Sequence, residues 1–191
     1  MSHINVKSEQ VIDASPEEVY AALKDYKQKR PQILPPNFVD YAVEKGGVGT
    51  GTVVDYRLKA GGRERPYKMQ VDETIKGKVI TERDTNSSLV TRWSLLPLKE
   101  GKQTQVSVIT EWEGGSGIGG FFERTFAPMG LRRIYGSMLS KLASLLQNEG
   151  QSASGKNQSG SSATNIGMFL LVAAIVLGIA IGLSYLRKVR E

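Results

Sequence analysis

The chain has 191 residues, a formal net charge of +6, no cysteine and one histidine, His3. That inventory excludes disulfides, thiolate catalysis, Cys-ligated zinc, a His-based metal cluster and a Ser-His-Asp triad. The charge excess is mild and dispersed: Arg187, Lys188 and Arg190 against Glu191 supply +2 of it. A nucleic-acid partner would require a concentrated basic stripe with interleaved aromatics, and the nearest run, KDYKQKR at 24–30, is too short. It reads as a solvated helix end, with contact to anionic lipid headgroups as the alternative.

In chain order, HINVKSEQVI alternates as a strand does. SPEEVYAALKDY then offers Ser15 as N-cap, Pro16 at the first helical position and Glu18 at the capping-box position. A short helical piece around Pro31 and Leu34 stops at Pro35-Pro36. Six runs bounded by turn residues follow: FVDYAVEK, GTVVDYRLKA, RPYKMQVDETI, KVITERDT, LVTRWSLLPL and QTQVSVITEWE. Most alternate apolar with polar residues, as antiparallel strands with one wet face do. From 121 to 146 the period changes: Phe122, Phe126 and Met129, then Leu131, Ile134, Met138, Leu142 and Leu145, recur at spacings that predict a long helix, kinked or divided near Pro128 and Gly130.

The stretch 147–165, QNEGQSASGKNQSGSSATN, reads as a flexible linker with a root-mean-square reach of roughly 25 Å. Residues 166–186 then run without one charge, which at 1.5 Å per residue crosses a hydrocarbon core of roughly 30 Å. This predicts a single transmembrane helix followed by the basic tail 187–191. The N-terminus shows no secretory signal, so the arrangement reads as a tail anchor with the N-terminal domain, 1–146, in the cytoplasm. The basic flank on the C-terminal side opposes that orientation under the positive-inside tendency. Ala174, Gly178 and Gly182 repeat every fourth residue, a small-residue face suited to homodimer packing in the membrane.

A twisted sheet followed by one long helix buries the helix's stripe by wrapping around it, which leaves room for a cavity between them. VIDASPEEVYAAL, GGVGTGTVVDYRL, LVTRWSLLPLKEGKQTQVSVITEWE and the long terminal helix, in that order, resemble the SRPBCC superfamily, the START-like or helix-grip proteins. The branch most resembled is polyketide cyclase/dehydrase and lipid transport, over residues 4–146. The resemblance implies an α+β helix-grip fold and an elongated apolar pocket for a lipid, isoprenoid, quinone or polyketide-like molecule; no cofactor or metal is expected. It also implies that the loop before the long helix, with Gly117, Gly119 and Gly120, flanks the cavity mouth; the loop reads as a permissive connection, with a gate as the alternative.

Residues expected to face that cavity are Tyr56, Tyr67, Met69, Trp93, Trp112, Phe122, Phe126 and Met138. GGVGTG at 46–51 lacks the lysine of a P-loop and precedes a strand, so it reads as a turn. Candidates for acid–base chemistry are Glu73, Glu82, Arg83, Asp84, Arg92, Glu111 and Glu113, and no catalytic constellation stands out among them. Arg83 and Arg92 read as solvated strand-face arginines, with a buried anchor for a ligand headgroup as the alternative. Three readings follow: a membrane-anchored binding protein for a hydrophobic molecule, a cyclase or dehydratase on a membrane-derived substrate, and a membrane-localised interaction module without ligand.

Overall fold

The computed structural model describes residues 2–60, 62–114 and 117–158, with side chains described over 3–60, 62–114 and 127–152. Strand β1 (Ser2–Ile12) leads into α1 (Pro16–Lys24) and the single turn α2 (Arg30–Ile33). Strands β2 (Phe38–Lys45), β3 (Val53–Ala60), β4 (Arg63–Ile75), β5 (Val79–Asp84), β6 (Val90–Leu98) and β7 (Gln103–Gly114) follow, and α3 (Gly117–Gln158) comes last. The chain divides into two compact units, 1–147 and 148–191. The first holds the whole sheet; of the second, only the last turns of α3 are described.

All seven strands form one antiparallel sheet in the order β1-β7-β6-β5-β4-β3-β2. Strands β2 to β7 are a meander, because each apolar run is separated from the next by a tight turn and pairs with its neighbour. Strand β1 adds beside β7 at the opposite edge from β2, so the chain crosses from edge to edge between Ile12 and Phe38. Helices α1 and α2 make that crossing.

Helix α1 begins where the capping residues place it: Glu18 N donates to the Ser15 hydroxyl at 3.3 Å and Ser15 N donates to the Glu18 carboxylate at 2.8 Å. Val19, Tyr20, Ala22 and Leu23 form its buried side. On β7 the buried residues are Thr104, Val106, Val108, Thr110, Trp112 and Gly114, a strict period of two; on β6 they are Thr91, Trp93 and Leu95. From α3, Leu131, Ile134, Tyr135, Met138, Leu139, Leu142 and Leu146 join the same core at helical spacing. Seven antiparallel strands with a C-terminal helix packed on the sheet make this an α+β fold of the helix-grip kind.

Three expectations change. The helix is not divided at Pro128 or Gly130, although Pro128 removes one backbone hydrogen bond, and Leu131, Ile134 and Tyr135 beyond it are buried. It also continues to Gln158, so 148–158 is helix rather than linker; extending an existing helix costs far less than nucleating one, even through Gly150 and several serines. Gly117, Gly119 and Gly120 form its opening turn rather than a loop. Among the described residues no helix is long and apolar enough to cross a membrane. The remainder of the expected linker, the expected span 166–186 with Ala174, Gly178 and Gly182, and the tail lie outside the described residues.

Candidate functional site

Between the buried face of the sheet and α3 lies a cavity in two compartments. The outer one, about 470 Å³, is lined by apolar residues, among them Leu58, Ala60, Tyr67, Leu89, Trp112, Ala127 and Leu131, while Arg63, Arg65, Asn86, Ser88 and Glu113 form an exposed rim. That volume falls within the range of small-molecule sites. The inner compartment, about 30 Å³, shares Leu58, Tyr67, Leu89 and Leu131 with the outer one and is continued by Phe38, Tyr56, Trp93, Tyr135 and Met138. Its rings touch in series: Phe38 lies 4.9 Å from Tyr56, Tyr56 lies 5.7 Å from Tyr67, and Tyr135 meets Trp93 edge-on at 6.3 Å.

At the inner end sits a buried polar group. The Arg30 guanidinium, at the start of α2, pairs with Glu82 on β5 and lies over the Trp93 ring, with its central carbon 4.3 Å from the ring centroid. The Tyr26 hydroxyl donates to the same Glu82 oxygen at 2.7 Å, and the Tyr41 hydroxyl ties the segment down by donating to Tyr26 O at 2.8 Å. Burial opposes the charge on Arg30, yet Glu82 and the surrounding phenols hold its guanidinium above its ordinary value. Burial pushes the phenols of Tyr26 and Tyr56 well up, with Glu82 adding to both, and pushes Tyr135 up to about 12. Among the described residues, the buried donors Arg30 Nη1 and Trp93 Nε1 have no hydrogen-bond partner.

Of the residues expected to line the cavity, the structure places Tyr56, Tyr67, Trp93 and Met138 at the inner compartment and Trp112 at the outer one. Met69 is fully buried in the adjoining core and lines neither compartment. The side chains of Phe122 and Phe126 lie outside the described residues. Neither Arg83 nor Arg92 is a buried anchor, in keeping with their reading as solvated strand-face residues: Arg83 is exposed on the outer phase of β5, and Arg92 bonds Glu111 at 2.6 Å on the wet face of the sheet. The buried arginine is Arg30, in the run read as a solvated helix end. Strand phase explains the exchange, since Glu82 shares the inward phase of Ile80 on β5.

The other carboxylates have structural partners. Asp84 accepts from Lys68 N at 3.0 Å and from the Ser87 hydroxyl at 2.6 Å, which closes the β5–β6 turn. Glu111 and Glu113 sit on the wet face. Glu73 enters the GGVGTG turn: Thr50 N donates to it at 3.1 Å and the Tyr20 hydroxyl bonds its other oxygen. Tyr20 first, and then Thr50, hold the Glu73 carboxyl below its usual range. The glycine loop is therefore filled by the protein's own carboxylate and is no anion site. Among the described residues no cluster of His, Asp or Glu is arranged to hold a metal.

The family model described as polyketide cyclase/dehydrase and lipid transport matches residues 3–147. The chain belongs to that family. Solved structures agree with this membership. The KanY protein, solved in solution by NMR, is 39% identical with a TM-score of 0.68, over 77% of this chain and 99% of its own. An aromatase/cyclase from Streptomyces sp. R1128, ZhuI, is 14% identical with a TM-score of 0.66 over 80% of this chain and 98% of its own. A START superfamily protein from Mycobacterium smegmatis is 16% identical with a TM-score of 0.53 over 80% and 99%. At those identities the last two share the fold alone. No curated protein matches the chain.

Proposed function

We propose that the protein is a membrane-tethered carrier for a hydrophobic small molecule, held between the sheet and α3. The observation that carries this reading is the cavity of about 470 Å³ leading to an aromatic inner end, in a member of a family described by lipid transport. The charge-free run 166–186 acts as the tether in this reading, with the N-terminal domain on the cytoplasmic side and the small-residue face of Ala174, Gly178 and Gly182 pairing two copies. Tethering keeps a carrier of water-insoluble molecules close to their reservoir, which raises the local concentration. The basic rim residues Arg63 and Arg65, with exposed Met129 on α3 beside cavity-lining Ala127 and Leu131, suit a mouth that approaches anionic headgroups.

The test is native mass spectrometry of the full chain released from detergent micelles, followed by organic extraction. A bound apolar species of defined mass supports the carrier; a bare mass after incubation with membrane lipid extract argues against it. A second reading, a cyclase acting on a membrane-derived substrate, is favoured by the titratable groups Glu82 and Tyr26 in the cavity wall. It requires that Glu82→Gln abolish turnover of the extracted species while leaving its binding intact. A cavity above roughly 300 Å³ weighs against the third reading, an interaction module with a collapsed core.

A further inference from the structure

Three turns at the end of the sheet away from the cavity mouth are built into one surface. The Glu73 carboxylate, near the end of β4, accepts from Thr50 N at 3.1 Å and bonds the Tyr20 hydroxyl, which in turn accepts from Gly77 N. Gly49 N donates to Lys24 O and Tyr26 N to Gly47 O, each at 2.9 Å. The segments 24–29, 45–51 and 75–78 are thereby fixed against one another. Two aliphatic side chains project from this framework: Val48 is 57% exposed and Ile75 53%. Val48 stands between Gly47 and Gly49, which are buried and at positive φ, +122° and +64°. A turn this closely pinned holds its valine out in water, at a place where a polar residue would serve the turn as well.

The charge around these side chains is of one sign. The three segments carry six lysines and a single acid, Asp25. The Asp25 carboxylate is turned onto the backbone, where it accepts from Lys27 N at 3.1 Å and Gln28 N at 2.9 Å. Lys27, Lys45, Lys76 and Lys78 are exposed, and the Lys27 stem lies across Gly47 beside Val48. Aliphatic tips set among lysines suit an anionic bilayer: the tips enter the acyl boundary while the ammonium groups stay with the phosphates. A protein partner fits less well, because such contacts are anchored by aromatic residues or by side chains seated in pockets. Here Tyr20 and Tyr26 are buried, and Val48 and Ile75 line neither compartment of the cavity.

Strand β4 measures how far this surface lies from the mouth. It opens at Arg63 on the mouth rim and closes at Ile75. Its 13 residues span about 40 Å at roughly 3.3 Å per residue. A mouth that approaches one bilayer therefore holds Val48 and Ile75 well away from it. Resting on the mouth orientation proposed above, we infer that this end of the sheet docks on a second, anionic bilayer, so that the carrier bridges two apposed membranes. The lysines supply the attraction, and Val48 and Ile75 supply the insertion.

The test incorporates the full chain into vesicles of phosphatidylcholine and titrates them with fluorescent acceptor vesicles of phosphatidylcholine, with or without phosphatidylserine. Capture of acceptor vesicles is read by co-flotation and by light scattering. The inference predicts capture of phosphatidylserine vesicles alone, released by added salt. Lys76→Gln with Lys78→Gln should weaken capture about 10- to 30-fold, and Val48→Ser with Ile75→Ser about 10-fold. Arg63→Gln, at the mouth, should leave it unchanged. A Trp emission maximum equal to that of wild type shows that each variant is folded. Absence of capture by wild type, or capture that survives both paired variants, overturns the inference; the first of these leaves an acidic protein as the partner this end fits. Loss of capture in Arg63→Gln alone also overturns it. A chain that does not enter the vesicles overturns the tether and not this surface: the free chain is then titrated directly, and the same pattern among the variants supports the docking surface.

Discussion

Replacing Arg30 by Met should destabilise the domain more than almost any other single change outside its apolar core. The substitution leaves the Glu82 carboxylate 7% exposed with the Tyr26 hydroxyl as a partner and no cation, and it removes the guanidinium from the Trp93 face. Breaking a buried pair from one side costs about 3–5 kcal/mol, a large share of the roughly 5–15 kcal/mol that holds a typical domain. With a urea slope of about 2 kcal/mol/M, the unfolding midpoint of the full chain falls by about 1.5–2.5 M. Adding Glu82→Gln to Arg30→Met removes the orphaned charge and keeps an oxygen for Tyr26, so the double variant should recover at least about 2 kcal/mol of the loss. The assay is urea unfolding followed by Trp fluorescence on wild type, both single variants and the double. Arg30→Met within about 1 kcal/mol of wild type, or additive losses in the double variant, would refute the buried pair.

Four further predictions rest on other parts of the structure. Gly49 has φ +64°, and a Cβ there would stand 2.3 Å from the Glu73 carboxylate, so Gly49→Ala should lose about 1–3 kcal/mol by urea unfolding and displace Glu73. Because the Glu73 pKa is lowered on folding, its contribution is complete above the ordinary carboxylate value of about 4.3 and is lost as pH falls through the native value; between pH 5 and pH 3, wild type should lose more stability than Glu73→Gln, and parallel curves would contradict this. Tyr20, Tyr26, Tyr41, Tyr56 and Tyr135, of the seven tyrosines, have raised phenol pKa values, so absorbance at alkaline pH should show most phenols ionising above the ordinary value of about 10. Since the unfolded chain gives up those protons first, stability should fall as pH rises past about 10. Ser15→Ala should cost about 1 kcal/mol through loss of the α1 cap, with little effect on ligand binding, which a paired unfolding and binding measurement checks.

Much of the fold was legible because the signals are local. QTQVSVITEWE becomes β7 with every second residue buried, since one face of the strand packs on the core and the other is wet. The sequence SPEE carries both halves of the α1 capping box within four residues. The candidate site was legible only on its aromatic side. Trp93 and Trp112 announce their phase through their strands, whereas Tyr26 and Arg30 lie in a run of charge that local reasoning places in water. Their burial is decided by Glu82, 52 residues beyond Arg30 in sequence, and no local periodicity encodes that pairing. A weak signal did exist: Glu82 stands in the inward phase of VITERD beside Ile80, and an inward carboxylate requires a cation from elsewhere. The continuation of α3 past Gln147 was hidden for a different reason, because NEGQSASGKNQ has a linker's composition and becomes helical as the extension of a helix already packed.

The carrier reading stands or falls on whether a ligand occupies this cavity and no other surface. The most direct measurement compares the species extracted from wild type with those extracted from Ala127→Trp, both purified as full chains in the same detergent. Ala127 lines the outer compartment, and an indole there fills part of its roughly 470 Å³ while leaving the sheet untouched. The account predicts an apolar species of defined mass at near-stoichiometric amount in wild type and its loss in Ala127→Trp. The same species at equal amount in both proteins, or none in either, would contradict it.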